Sequence, residues 1–188
     1  MTADDEALLD ELSEMLAVER DRERLYDEFV RDAPADLQAK ALEYAEQSRR
    51  GALVLEEAVR RLGGDPAHVS PGAEVVHRMT EAMMAATESA ATKRWMYRAL
   101  HLVSYETRDR MVWRALDALA DERGGETGEV LKTAATAVLS EEALGAHGVD
   151  RSEERIGLIL EAMETELAHE LGVPADRTGR RRGIRRLR

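Results

Sequence analysis

The sequence predicts an all-α protein, and two observations support this fold class. The 188 residues are rich in Ala, Leu, Glu and Arg, which lose little side-chain freedom in a helix, and include only four prolines and one phenylalanine. Apolar residues recur with a helical period along most of the chain. The pattern divides into helices expected at about residues 4–31 (α1), 35–62 (α2), 71–90 (α3), 92–123 (α4), 127–146 (α5) and 152–171 (α6).

Glycines, prolines and capping residues mark the boundaries between these helices. In DAPAD, Asp32 is expected to act as a cap and Pro34 to interrupt the helix. The segment GGDP is a strong stop signal after α2. In SPGAE, Ser70 is the expected N-cap of α3, and Pro71 suits the first helical position. We expect a single helical domain over residues 1–172 and a disordered arginine-rich tail over 173–188.

The composition excludes several kinds of site and suggests a cellular location. The chain has no cysteine, which rules out disulfides, thiolate metal sites and a cysteine nucleophile. Any metal must therefore be held by carboxylates and imidazoles, which suits iron, manganese or zinc. No apolar run is long enough to span a membrane, and the acidic start MTADDEALLDEL does not resemble a signal peptide. We expect a cytoplasmic protein with no membrane partner.

Two glutamates lie within the apolar stripe of α1. Because each helical residue advances by about 100°, Glu19 and Glu23 fall close to the centre of the inward face. An unpaired charge is costly to bury, so an inward glutamate calls for a partner or a metal. The apolar residues on that face are Leu9, Leu12, Met15, Leu16, Tyr26, Phe29 and Val30.

The helices α4 and α5 repeat this arrangement. Glu106 lies at the centre of the apolar stripe of α4, and Glu141 and Glu142 border the inner face of α5. An aromatic residue follows seven positions after the inward glutamate on both long helices. It is Tyr26 after Glu19 on α1, and Trp113 after Glu106 on α4.

These features, together with LGGDP at the end of α2 and SYETRDRMVWRALDALADERGG in α4, resemble the ferritin-like superfamily. Its rubrerythrin branch and its YciF-type stress-protein branch are the most similar. The resemblance implies an antiparallel four-helix bundle of α1, α2, α4 and α5, with α3 as a short extra helix and α6 as a C-terminal fifth helix. It also implies a dinuclear iron or manganese centre and a role in stress.

The ligand pattern of that family is incomplete in this chain. The resemblance implies one inward glutamate on each of α1 and α4, which Glu19 and Glu106 supply. It also implies Glu-x-x-His on α2 and α5. Ser48 and Gly51 occupy those positions on α2, and Gly145 stands where the histidine of α5 belongs. The expected metal site is therefore degenerate.

Two interpretations of the inward glutamates follow. In the first, Glu19, Glu106 and Glu142, with Glu23 or Glu141 replacing lost ligands, bind iron or manganese in an oxidase or storage protein. In the second, the bundle has lost its metal and the glutamates pair with arginines, for which Arg22 and Arg110 are the candidates. Whether the protein is an enzyme stays open at this point.

The segment ELAHE in α6 contains a second Glu-x-x-His pattern. Glu166 and His169 point away from the apolar stripe of α6, which predicts a solvated surface rather than a metal site. That stripe comprises Ile156, Leu160, Met163, Leu167 and Leu171. We expect α6 to lie outside the four core helices, where it covers the bundle or joins a partner in a homodimer.

The C-terminal RTGRRRGIRRLR is strongly basic and contains no acidic residue, although the net charge of the whole chain is −11. Such a tail can bind nucleic acid through counterion release. Its end, GIRRLR, also resembles the targeting tails of encapsulin cargo proteins, which implies an encapsulin shell as partner. A solubilising tail is the third alternative. The residues concerned are Arg180, Arg181, Arg182, Ile184, Arg185, Arg186, Leu187 and Arg188.

Overall fold

The computed structural model describes residues 3–90, 93–143 and 151–172, apart from the side chains at positions 36, 110, 140–143, 151 and 152. Over these ranges the chain forms helices and contains no strand, which confirms the predicted all-α class. None of the helices described is long and apolar enough to cross a membrane. The helices are α1 (Ala3–Asp32), α2 (Ala35–Arg61), α3 (Pro71–Glu88), α4 (Arg94–Arg123), α5 (Gly125–Ala143) and α6 (Arg151–Glu170).

Local sequence signals account for the start of α3 and the end of α2. The Ser70 hydroxyl accepts a hydrogen bond from the Ala73 amide (3.1 Å), so it caps α3 as predicted. At the end of α2, Gly63 adopts a positive φ of 81°, and the Gly64 amide donates back to the Val59 carbonyl (2.9 Å). The Gly63 amide also donates to the Arg60 carbonyl (3.0 Å), and the two bonds form a Schellman motif.

The prediction that Asp32 acts as a cap is wrong. Asp32 is the last residue of α1, and Pro34 precedes α2 without a side-chain capping bond. The Asp32 carboxylate instead accepts a hydrogen bond from Arg98 on α4 (2.9 Å). The Asp32 carboxylate therefore forms an ion pair with another helix, whereas the prediction had it accept a hydrogen bond from the local backbone.

The helix α1 is buried on opposite faces, because it contacts α2, α3 and α4. Leu12 and Tyr26 on its predicted inward face are fully buried, and so are Val18 and Leu25 on the opposite side. The helix α3 covers that second face, where His77 of α3 lies 3.3 Å from Asp21. A single apolar stripe therefore described only one of the two buried faces of α1.

The core consists of two apolar clusters that follow one another along the helices. The first apolar cluster includes Leu12 of α1, Leu55 of α2, Trp113 of α4 and Leu131 of α5. The second apolar cluster involves the other halves of α1, α2 and α4, with α3 and α6 in place of α5. Its members include Tyr26, Phe29, Tyr44, Val76, Trp95, Leu102, Ile159 and Met163.

This arrangement corrects the prediction for α6, because the helix contributes to the core instead of lying outside it. Its most buried side chains are Arg155, Ile159 and Met163, whereas Leu160 and Leu167 are exposed. The buried face is therefore rotated relative to the predicted apolar stripe. On this buried face Arg155 pairs with Glu106, and Ile159 and Met163 belong to the second apolar cluster.

Candidate functional site

Five ionisable side chains form a charged cluster between the two apolar clusters. They are Glu19 and Arg22 of α1, Glu106 and Asp109 of α4, and Arg155 of α6. None of the five is more than 4% exposed. Charged groups are rarely buried to this degree unless they are paired, so the contacts within the cluster decide its chemistry.

The guanidinium of Arg22 occupies the middle of the charged cluster. Its Nη2 lies 2.7 Å from Glu19 Oε2, and its Nη1 lies 2.5 Å from Asp109 Oδ2 and 3.8 Å from Glu106 Oε1. Its Nε donates to the Ser48 hydroxyl on α2 (2.8 Å). One planar cation therefore connects three helices, through hydrogen bonds to Glu19 and Ser48 and through ion pairs with the carboxylates of α4.

Besides Arg22, Glu106 binds two further groups, one from α1 and one from α6. The Tyr26 hydroxyl of α1 donates to its Oε1 (2.7 Å), and Arg155 Nη1 of α6 lies 2.9 Å from its Oε2. The Arg155 guanidinium also lies over the ring of Tyr44 on α2, 5.1 Å from the centroid, at a distance suited to a cation–π interaction. Arg155 thus anchors α6 to the core by its charge.

Glu19 is enclosed by Trp113 and Gly51. The indole nitrogen of Trp113 on α4 donates to Glu19 Oε1 (3.2 Å), and the Gly51 backbone of α2 lies directly against the carboxylate. The spacing of glutamate and aromatic residue that α1 and α4 share in the sequence therefore corresponds to a crossed pair of hydrogen bonds. The aromatic residue that follows each glutamate binds the glutamate of the other helix, as Tyr26 binds Glu106 and Trp113 binds Glu19.

Burial changes the protonation behaviour of this cluster. It raises the pKa of Glu19 well above the ordinary value; attraction from Arg22 opposes this shift, and repulsion from Asp109 adds to it. Burial also favours loss of the proton from Arg22, but attraction from the three carboxyl groups outweighs it and raises that pKa. A proton on Glu19 would leave two carboxylates facing two guanidinium groups, which is a neutral combination.

The predicted metal ligands do not all meet at this site. Glu19 and Glu106 do, and both are fully buried. Glu23 does not, because its side chain is partly exposed and pairs with the exposed Arg49 of α2 (2.7 Å). Its position in the predicted stripe was misleading, since the long side chain of a glutamate can carry the carboxylate from an apolar face toward solvent.

Other predicted residues are partly or wholly outside the described part of the chain. Glu141 and Glu142 belong to α5, but their side chains are not among those described, and the same holds for Arg110. The tail residues 173–188, with their arginines, Ile184 and Leu187, lie outside the described ranges altogether. On α6, His169 is exposed as predicted, and Glu166 is half-buried.

The sequence did not predict two members of the charged cluster, Asp109 and Arg155. Asp109 falls at the margin of the Glu106 face, three positions further along α4, and this i, i+3 spacing was an available signal. Arg155 gave no comparable signal, because an arginine at the start of an amphipathic helix ordinarily faces water. The pairing of Arg22 with Glu19, by contrast, agrees with the second interpretation of the inward glutamates.

The side chains that the structure describes do not form a dinuclear metal centre. The described carboxylates surround the Arg22 guanidinium, and the residues described contain no group of three or more His, Cys, Asp or Glu side chains placed to hold a metal ion. Ser48 and Gly51 do lie beside the cluster, where the family pattern places Glu and His, but neither can supply an imidazole or a carboxylate.

The chain matches no model of a known protein family, no curated protein and no solved structure.

Proposed function

We propose that the protein is a ferritin-like helical bundle in which a buried arginine takes the place of the dinuclear metal centre, and that it serves as a non-catalytic structural or adaptor protein. The observation that carries this proposal is the position of Arg22, whose guanidinium lies between Glu19 and Asp109. A guanidinium supplies the positive charge that buried carboxylates require, as a metal would in a related bundle.

The energetics of buried ion pairs favour this assignment. For a cation to bind Glu19 and Glu106, Arg22 would have to leave a site in which it is 2% exposed and pairs with two carboxylates. Removing one partner from a buried pair typically costs about 3–5 kcal/mol, because the remaining charge stays uncompensated. Metal binding would have to exceed this cost without the imidazole ligands that iron centres of this class use.

The packing of the last two helices supports a bundle with a divided fourth side. The helix α5 packs into the first apolar cluster and α6 into the second, and both contact α4. We propose that α1, α2 and α4 provide three sides, while α5 and α6 in succession provide the fourth. The stress-related role, the homodimer, the cytoplasmic location and the partners of the tail stay predictions.

The test is the metal content of the full-length protein. It should be purified aerobically without a metal-affinity tag, analysed for metals and then titrated with Fe²⁺ and Mn²⁺. We expect no near-stoichiometric metal and no saturable binding at the charged cluster. The alternative, an iron or manganese oxidase or storage protein, requires near-stoichiometric metal that is lost in Glu19→Ala and Glu106→Ala but kept in Glu23→Ala. Glu23 is a suitable control because it lies outside the charged cluster.

A further inference from the structure

The outer face of α4 carries large apolar side chains that are exposed. Tyr97 is 47% exposed, Leu100 is 49% exposed and Met111 is 66% exposed. At about 100° per residue, these three and three smaller exposed residues fall within about 60° of one another around the helix. We refer to the six as the outer stripe: Tyr97, Leu100, Ser104, Met111, Ala115 and Ala118.

The spacing of the outer stripe is the same from either end. The steps between successive members are three, four, seven, four and three residues. A second α4 that lies antiparallel to the first, with the centre between positions 107 and 108, therefore brings every member opposite another member. In each pair a large residue meets a small one, which lets the two helices pack closely. The pairs are Tyr97 with Ala118, Leu100 with Ala115, and Met111 with Ser104.

The charges at the two ends of the outer stripe are complementary in the same arrangement. Lys93 precedes Tyr97 by four residues, and Glu122 follows Ala118 by four residues. The antiparallel pairing therefore brings Lys93 of one copy close to Glu122 of the other, which favours this orientation. Lys93 also contacts Glu170 of α6 (2.6 Å), but its ammonium has three donors and can serve both carboxylates.

At the centre of the outer stripe, the polar side chains already have partners within the chain. The guanidinium of Arg108 pairs with Glu14 of α1. The hydroxyl of Thr107 donates to the Val103 carbonyl of its own helix (2.8 Å). Two copies can therefore approach each other there without burying an unpaired charge.

The apolar surface continues from the outer stripe onto α3. Tyr97 and Leu100 line an open cleft together with Met83 and Ala86 of α3. At a spacing of about 10 Å between helices, the outer sides of α4 and α3 together cover roughly 700 Å². Stable interfaces bury about 800 Å² on each partner, so this surface is large enough for a dimer.

We propose that the protein forms a twofold-symmetric homodimer in which the outer stripes of two copies pack antiparallel. An identical helix supplies both the matching spacing and the opposite end charges, which favours a second copy as the partner. The proposal gives the predicted homodimer a surface on α4, whereas the sequence had suggested α6. It goes beyond the proposed function, because the outer stripe contains no member of the charged cluster and dimerisation is measured separately from metal content.

The test is sedimentation equilibrium of the full-length protein over a range of concentrations. We expect a reversible monomer–dimer equilibrium. Leu100→Lys and Met111→Lys should each weaken the dimer at least roughly tenfold, because each places a charge within the interface. Both residues are exposed within the single copy, so the substitutions leave the core intact, which circular dichroism verifies.

Leu42→Lys and Leu53→Lys on α2 are the matched controls. Both leucines are exposed to a similar extent as Leu100, and neither belongs to the outer stripe. These two variants should dimerise like the native protein. A protein that is monomeric at every concentration, or a dimer that is weakened equally by the variants on α2 and on α4, would overturn the proposal.

Exchange of a large and a small residue tests the antiparallel register. Leu100→Ala should weaken the dimer roughly tenfold because it leaves a gap opposite Ala115, and Ala115→Leu should weaken it because two leucines then collide. The double variant Leu100→Ala, Ala115→Leu again places one large and one small residue in each pair. It should dimerise nearly as tightly as the native protein. A double variant weaker than both single variants would contradict the register.

Discussion

The backbone of Gly51 on α2 lies so close to Glu19 on α1 that a Cβ atom at position 51 would stand 2.8 Å from the carboxylate carbon of Glu19. Real Cβ atoms essentially never approach another heavy atom so closely. The absence of a side chain at position 51 therefore provides the space in which a buried carboxylate meets Arg22 and Trp113. Gly51, which stands at one of the predicted ligand positions of α2, therefore allows Glu19 to make these contacts in the core.

Gly51→Ala should destabilise the protein by about 1–3 kcal/mol, because the added methyl group displaces a carboxylate that cannot leave the core. Denaturant unfolding monitored by circular dichroism measures the change. Gly157→Ala on α6 is the matched control, since a Cβ there would meet nothing within 4 Å. That control should be neutral or stabilising by up to about 1 kcal/mol, as alanine is the better helix former. Similar effects of the two substitutions would contradict the close contact.

Arg155→Met should cost about 3–5 kcal/mol of unfolding free energy, because it leaves the carboxylate of Glu106 buried without one of its cationic partners. Glu106→Gln retains an oxygen for the Tyr26 hydroxyl and removes the charge. The double variant Arg155→Met, Glu106→Gln should therefore cost clearly less than the sum of the single variants. A double-mutant cycle measures this coupling.

An exposed ion pair serves as the reference for this cycle. Lys40 and Glu43 lie 3.0 Å apart on the surface of α2, and a cycle of Lys40→Met and Glu43→Gln should give a coupling of less than about 1 kcal/mol. If the buried pair showed as little coupling as this surface pair, the anchoring role of Arg155 would be wrong.

Glu19→Gln should make stability less dependent on pH. Burial raises the pKa of Glu19 above its ordinary value of about 4.5, so the folded state binds a proton that the unfolded state releases first. The stability from this proton is complete below the unfolded pKa and is lost as the pH rises through the folded pKa. Glutamine cannot lose a proton, so the stability of the variant relative to the native protein should improve from about pH 5 to about pH 8.

Denaturant unfolding at the two pH values tests this sign. Leu116→Ala is a suitable reference, because it removes buried apolar surface and no titrating group. Its cost should be the same at both pH values. A relative loss of stability of Glu19→Gln toward high pH would mean that Arg22 dominates over burial and lowers the pKa of Glu19.

Arg98→Met should destabilise the junction of α1, α3 and α4 by about 2 kcal/mol, because charge-assisted hydrogen bonds are lost. Arg98 is 2% exposed and donates to the Glu28 carbonyl (2.8 Å), to Asp32 (2.9 Å) and to Glu88 (2.7 Å). Arg98→Lys should not restore this stability, since an ammonium cannot reproduce the planar fork.

The neighbouring Arg94 provides the control for this prediction. It lies near the same carboxylates at 3.5 Å, and it is more exposed. Arg94→Met should therefore cost less than about 1 kcal/mol. Thermal or denaturant unfolding of the two variants would distinguish a structural role of Arg98 from a general effect of charge.

The sequence predicts the helices well, because propensity and capping act locally. Ser70 caps α3 as expected, and the buried residues Glu19 and Glu106 follow from helical periodicity alone. The rotation of α6 is not predictable in this way. Arg155 on the buried face of α6 pairs with Glu106 of α4, and periodicity identifies an apolar face of a helix without identifying its ionic partners.

The same limitation explains the second buried face of α1. Val18 and Leu25 were not in the predicted stripe, and only the docking of α3 shows why they are apolar. The crossed contacts of Tyr26 and Trp113 were present in the sequence as a repeated spacing, but the spacing does not tell which helix each aromatic residue contacts.

The central position of α1 also governs the order in which the chain can fold. Glu19 meets Trp113 from 94 residues further along, and Tyr26 meets Glu106 across 80 residues. During synthesis, α1 emerges before α2, α3 and α4, which cover it, and such long-range contacts slow folding. The charges of Glu19, Asp21 and Arg22 interrupt its apolar surface during that interval. The residues that hold the finished core together would then also keep the nascent helix soluble until α4 and α6 emerge.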